Sequence, residues 1–154
     1  MGYEFRGFFT NGGDEILAAA QRRWPDGKAR TFRFFLKRIG GFRQAPPEGD
    51  VPDDEAEAEL WHGRLYVVEK GLAEFSREFP GNLFVYLHVD CFGGTCANEG
   101  FVIRNGEKVE SARGFTREGR VVEGQDALPI LLKHLGLRLP RGGDFRPLGR
   151  GAFG

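Results

Sequence analysis

The sequence predicts an α+β fold: a single, mainly antiparallel sheet of about five strands, with about three helices packed on one face. Three observations lead there. Some stretches carry apolar residues at helical spacing, while others alternate with a period of two. The segments follow the order β-α-β-α-β-β-β-α, which ends in a meander rather than in repeated βαβ units. Glycine reaches 24 and phenylalanine 15 among 154 residues, with Met1 the only methionine. That composition means many tight turns and a core of rigid rings with little adaptable filler.

Tyr3 to Thr10 is dense in aromatics and reads as the first strand. Asn11-Gly12-Gly13 is a turn, and Asp14 or Asn11 is the expected cap of the next helix. In that helix Ile16, Leu17, Ala20 and Trp24 form one apolar stripe, ended by Pro25-Asp26-Gly27. Thr31 to Arg38 is the second strand, with Gly40-Gly41 as its breaker. Trp61, Leu65, Val68, Leu72, Phe75 and Phe79 step by fours and threes, the clearest helical seam in the chain. Leu83 to Asp90 alternates strictly: Leu83, Val85, Leu87 and Val89 belong to one face, Phe84, Tyr86, His88 and Asp90 to the other. The first set should lie under the helices and the second should stay partly wet. Glu99 to Arg104 and Glu107 to Ala112 flank Asn105-Gly106, the dipeptide that type I′ hairpins prefer. Asp126 is the expected cap of a last helix carrying Leu128, Leu131, Leu132 and Leu135, with Gly136 just past its end. Residues 1–137 thus read as one domain and 138–154 as an irregular Gly/Pro/Arg-rich tail.

Charge narrows the function classes. Twenty-two basic residues balance 22 acidic ones, which disfavours a cationic nucleic-acid binder. No apolar run approaches the ~18 residues of a membrane helix. Met1 to Arg6 lacks an apolar signal core, so a cytoplasmic location is expected. The charges are nonetheless segregated. Arg22 to Arg43 holds eight bases against one acid, and Ala45 to Glu59 holds seven acids, three prolines and no base. Either these acids fold onto the basic strand around Arg33, Lys37 and Arg38, or they stay available to a basic partner surface. Charge of that kind steers association. The expected contact residues are Asp50, Asp53, Asp54, Glu55, Glu57 and Glu59, together with Tyr86 and His88 on the mixed sheet face.

One stretch offers catalytic atom types: His88-Val89-Asp90-Cys91-Phe92-Gly93-Gly94-Thr95-Cys96. Cysteine, histidine and aspartate are zinc ligands, but no second Cys or His pair follows at ligand spacing, so neither metal nor cofactor is expected. A nucleophilic Cys91 would need a nearby base. His88, three residues away along a strand, points to the opposite face. Asp90 reads as a cap of the Gly93-Gly94 turn, and two reduced, inert thiols are expected of a cytosolic chain.

The segment from Phe84 to Cys96, running on through Gly100-Phe-Val-Ile-Arg-Asn-Gly, resembles small bacterial α+β proteins, among them immunity proteins encoded beside toxins. The likeness lies in a short strand, a Gly-Gly turn and an aromatic hairpin closing on Asn-Gly. It implies a binding protein and assigns no functional residue. The expected function is therefore non-catalytic protein binding of the inhibitor or immunity type. The alternative is a small hydrolase or metal-dependent enzyme centred on His88, Asp90 and Cys91.

Overall fold

The structure, a computed structural model, describes residues 3–34, 36–44, 52–58, 69–139, 145–149 and 151–154. Strand β1 (Tyr3–Thr10) leads into helix α1 (Asp14–Arg23), and β2 (Lys28–Phe34) and β3 (Lys37–Arg43) form a hairpin. A helical segment, α2, is described over 55–58, and α3 covers Glu69–Arg77. A four-stranded meander follows: β4 (Leu83–Phe92), β5 (Thr95–Arg104), β6 (Glu107–Arg117) and β7 (Arg120–Gly124). Helix α4 (Ala127–Leu132) and two 3-10 turns, Lys133–Leu135 and Arg146–Leu148, complete the described chain. The strands lie in the order β2-β3-β1-β4-β5-β6-β7, with each neighbouring pair antiparallel.

The α+β class and the single antiparallel sheet agree with the sequence, but among the described residues seven strands replace the expected five and four helices the expected three. The two additional strands have different causes. Gly40-Gly41 does not break a strand; it lies inside β3, opposite Thr10 and Phe9 of β1. A Cβ on Gly41 would lie 2.9 Å from the rings of Phe153 and Phe9 and 3.0 Å from that of Phe32. The glycine is thus the hole into which three rings pack, and the chain reverses earlier, between Phe34 and Lys37. Strand β7 escapes prediction because all five of its residues are exposed, so burial imposes no alternation on it.

The helices also divide between the two faces, contrary to the expected one-sided packing. Val85, Leu87, Val89 and Val102 pack against Ala127, Leu131 and Leu132 of α4. On the other face Phe8, Phe42, Phe84 and Ile103 pack against Ile16, Ala20 and Trp24 near α1 and against Leu72 and Phe75 of α3. Alternation in β1 forces this arrangement: Phe8 points one way, Phe5 and Phe9 the other, and all three are fully buried. At roughly 25 cal/mol per Å2 of apolar surface, neither set of rings is left in water cheaply.

The C-terminal stretch belongs to the same core. Phe145 packs edge-on to Phe9 at 5.0 Å and Phe153 to Phe32 at 5.2 Å. Two bases of the basic segment hold that stretch, and a third reaches Gly136. Lys28 Nζ donates to the Gly154 carbonyl at 3.4 Å, Arg30 donates to that of Ala152, and Lys37 donates to that of Gly136 at 3.3 Å. Arg146 donates in return to the Arg33 carbonyl at 2.8 Å.

Local signals elsewhere are obeyed or displaced by one residue. Asn105-Gly106 has the two positive φ values of a type I′ turn, 52° and 80°. Gly136 is left-handed at φ 75°. Gly13, not Asn11 or Asp14, holds the N-cap of α1, and Asp14 supplies negative charge to the first turn. Residues 61–68 of the predicted Trp61–Phe79 helix lie outside the described residues; α3 carries Leu72 and Phe75 of the seam and ends at Arg77, two residues before Phe79.

Gly41→Val should lower stability in denaturant by about 1–3 kcal/mol, the usual cost of overpacking a filled core. Gly13→Ser, at the N-cap of α1 where an added Cβ meets nothing within 4 Å and serine is a favoured cap, is the control and should cost no more than about 0.5 kcal/mol.

Candidate functional site

Toward the Cys91 end of β4, the face that carries α1 and α3 holds polar and charged side chains. The register sets them in rows across the strands. One row runs Arg6, His88, Glu99, Arg113; the next runs Glu4, Asp90, Ala97, Phe115, Glu123. A cleft of ≈ 320 Å3 opens over them, lined among others by His88, Asp90, Ala97, Glu99, Phe115 and Glu123. Beside it Tyr86 stacks on Phe101 with ring centroids 4.8 Å apart, continuous with the apolar cluster beneath α1 and α3.

His88 is held between two carboxylates. Its Nδ1 lies 3.2 Å from Glu99 Oε1 and its Nε2 3.3 Å from Glu4 Oε1, which also accepts from Arg6 Nε at 2.9 Å. The Nε2 contact is too poorly aligned to be a hydrogen bond, so that nitrogen is buried without one. With a carboxylate facing each ring nitrogen, His88 is placed as a member of an ion network, and neither nitrogen is directed at a nucleophile. Asp90 is an exposed strand residue opposite Ala97. It caps no turn, since β4 continues to Phe92 before the Gly93-Gly94 reversal.

The cysteines differ from expectation. Cys91 and Cys96 lie directly opposite across β4 and β5, with Cα atoms 4.1 Å apart, and form a disulfide. A two-residue reversal makes the pair next to its closing residues a narrow, non-hydrogen-bonded one, and that closeness places the two sulfurs within bonding reach. The expectation of free thiols rested on a reducing compartment, and hairpin geometry overrides it. Alternation also puts both sulfurs on the face opposite His88 and Asp90. The enzyme constellation His88, Asp90, Cys91 is therefore not assembled: its nucleophile is oxidised and faces away. Among the described residues no three His, Cys, Asp or Glu side chains are grouped to hold a metal ion.

The acidic segment is described over 52–58; Glu48, Asp50 and Glu59 lie outside the described residues. Asp53, Asp54, Glu55 and Glu57 are all exposed. Asp54 Oδ1 accepts from the Glu57 amide at 3.0 Å, an N-cap for α2. Among the described residues none of these four carboxylates forms an ion pair with a base.

The perturbed acids lie elsewhere. Glu110 is held below the usual carboxylate range by its hydrogen bond with His134, 3.2 Å away, and by Lys133 at 3.4 Å. Burial pushes Asp126, at the N-cap of α4, upward, with the Leu128 amide opposing. Burial also raises the Tyr3 hydroxyl, partly offset by Arg43.

Glu4, Glu99, Arg113, Phe115 and Glu123 are lining or network residues that the sequence reading does not single out. Counting outward from Gly93-Gly94 would have placed Glu99 opposite His88. Arg113 and Phe115 need the β5–β6 register, which a bulge at Val102/Ile103 shifts. No family model, curated protein or solved structure matches this chain.

The Gly93-Gly94 reversal, with φ of 60° and 82°, and the ladders to β1 and β6 hold the β4–β5 hairpin independently of the disulfide. The Cys91→Ser, Cys96→Ser double variant should therefore fold, with a urea-measured loss of at most about 2 kcal/mol for so short a closed loop. An unfolded double variant would make the bond, rather than the ladder, the determinant of the hairpin.

Proposed function

We propose that this chain is a non-catalytic binding protein of the inhibitor or immunity type, which meets a basic protein surface through its acidic turn and through the open sheet residues Tyr86 and His88. The observation that carries the reading is the state of Asp53, Asp54, Glu55 and Glu57: four exposed carboxylates on a capped turn, without ion pairs to the basic strands among the described residues. Unpaired like charges repel one another and, beyond the Asp54 cap, contribute little to folding. They raise the rate at which an oppositely charged partner is captured.

Other features fit the same reading. Lys28, Arg30 and Lys37 donate to carbonyls of the C-terminal half and do not pair with the described part of the acidic turn. No described helix is long and apolar enough to cross a membrane. The Cys91–Cys96 disulfide counts against the cytoplasmic location expected from the sequence and leaves the binding role untouched.

Changing Asp53, Asp54, Glu55 and Glu57 together to Asn or Gln should leave the melting temperature within about 3 °C, because exposed charges contribute little to stability. The same variant should associate with its partner about tenfold more slowly at low salt, the difference shrinking as salt is added. Stopped-flow association across a salt series measures this. An unchanged on-rate would exclude the acidic turn as the contact surface.

A further inference from the structure

The sheet cleft has the chemistry of a cation site. Asp90, Ala97, Phe115 and Glu123 form one row across β4, β5, β6 and β7, and Glu99 stands two residues from Ala97 on the same face of β5. Ala97 leaves the gap. Asp90 bounds it on one side and the half-exposed ring of Phe115 on the other. The lining holds three carboxylates, from Asp90, Glu99 and Glu123, against one guanidinium, that of Arg113. Asp90 and Glu123 form no ion pair among the described residues.

We propose that this cleft seats an arginine side chain of the basic partner, with the guanidinium over Ala97, stacked on Phe115 and paired with Asp90 and Glu99. The proposal rests on the binding reading above and names the partner chemistry that its sheet residues select. A planar guanidinium suits the site better than an ammonium, since it stacks on an aromatic face and pairs with two carboxylates at once. Glu99 already contacts His88 through Oε1, which leaves its second oxygen to accept from the ligand. Glu123, one strand beyond Phe115, is placed for a second cation on the same extended segment, because neighbouring strands lie roughly 4.8 Å apart.

The test uses two capped peptides, acetyl-Gly-Arg-Gly-Arg-Gly-amide and its counterpart with citrulline, the neutral isostere, at both arginines. Each is titrated into the full chain and followed by amide chemical shifts. The arginine peptide should shift Asp90, Ala97, Glu99 and Phe115, and the citrulline peptide should not. Asp90→Asn with Glu123→Gln should weaken binding about tenfold, the combined effect of two partly exposed ion pairs. Ala97→Leu, which keeps every charge and fills the gap, should abolish the shifts. Equal response to both peptides, silence at the cleft, or an Ala97→Leu variant that binds normally would overturn the proposal. Shifts confined to 53–57 would overturn it too, while leaving the acidic-turn reading in place. Cleft shifts that persist after the acidic turn is neutralised would uphold the cleft whether or not that turn is a contact surface.

Discussion

The rest of the structure depends on the burial of β1 from both sides. Phe5 and Phe9 project from one face of the strand and Phe8 from the other, and none is accessible to solvent. A strand of that kind must be central and must have a layer above and a layer below it. Its ladder with β4 runs from Tyr3 to Thr10, and its ladder with β3 from Gly7 to Thr10. Helices α1 and α3 cover Phe8, while α4 and the C-terminal stretch cover Phe5 and Phe9. The glycines of β3 follow from the same demand: rings stacked over a central strand need space that a Cβ would take, and Gly41 supplies it.

This arrangement decides what is left for function. The C-terminal stretch has to be held over β2 and β3, and Lys28 and Arg30 hold it by donating to its carbonyls, while Lys37 donates to that of Gly136. Those bases do not pair with the described part of the acidic segment. The covered part of the α1/α3 face lies nearer the Thr10 end of β1. Toward Tyr3 the same face carries Glu4, Arg6, His88 and Asp90, charged or titratable groups that only a partly open face accommodates. The charge segregation visible in the sequence thus becomes an exposed acidic turn at 53–57, while the cleft carboxylates Asp90, Glu99 and Glu123 are brought together from three other strands by register alone.

Much of the fold is legible in the residues because burial imposes periodicity. Leu83 to Asp90, the Ile16–Trp24 stripe and the Asn105-Gly106 turn each follow from local pattern. What is not legible has a physical reason in each case. Gly40-Gly41 reads as a breaker because its purpose depends on rings from residues 9, 32 and 153, far apart in the chain. Strand β7 has no buried face and so no pattern. One-sided helix packing is a fair inference from order alone, and it fails because β1 is apolar on both sides, a fact present in Phe5, Phe8 and Phe9. Of the site, His88 and Asp90 share a face as alternation requires, and Cys91 opposes them. The partners Glu4, Arg113 and Glu123 come from other strands and depend on register. The disulfide required giving the geometry of a Gly-Gly reversal more weight than an assumed compartment.

Native-state hydrogen exchange tests the two-sided packing of β1 most directly. If β1 is the strand on which both core layers rest, the amides of Phe5, Phe8 and Phe9 exchange only through global unfolding, together with those of Val85 and Leu87 in β4. The exposed edge strand β7 should exchange through local opening, orders of magnitude faster. Amides of β1 that exchange as fast as those of Val121 and Val122, or that open separately from β4, would contradict this account.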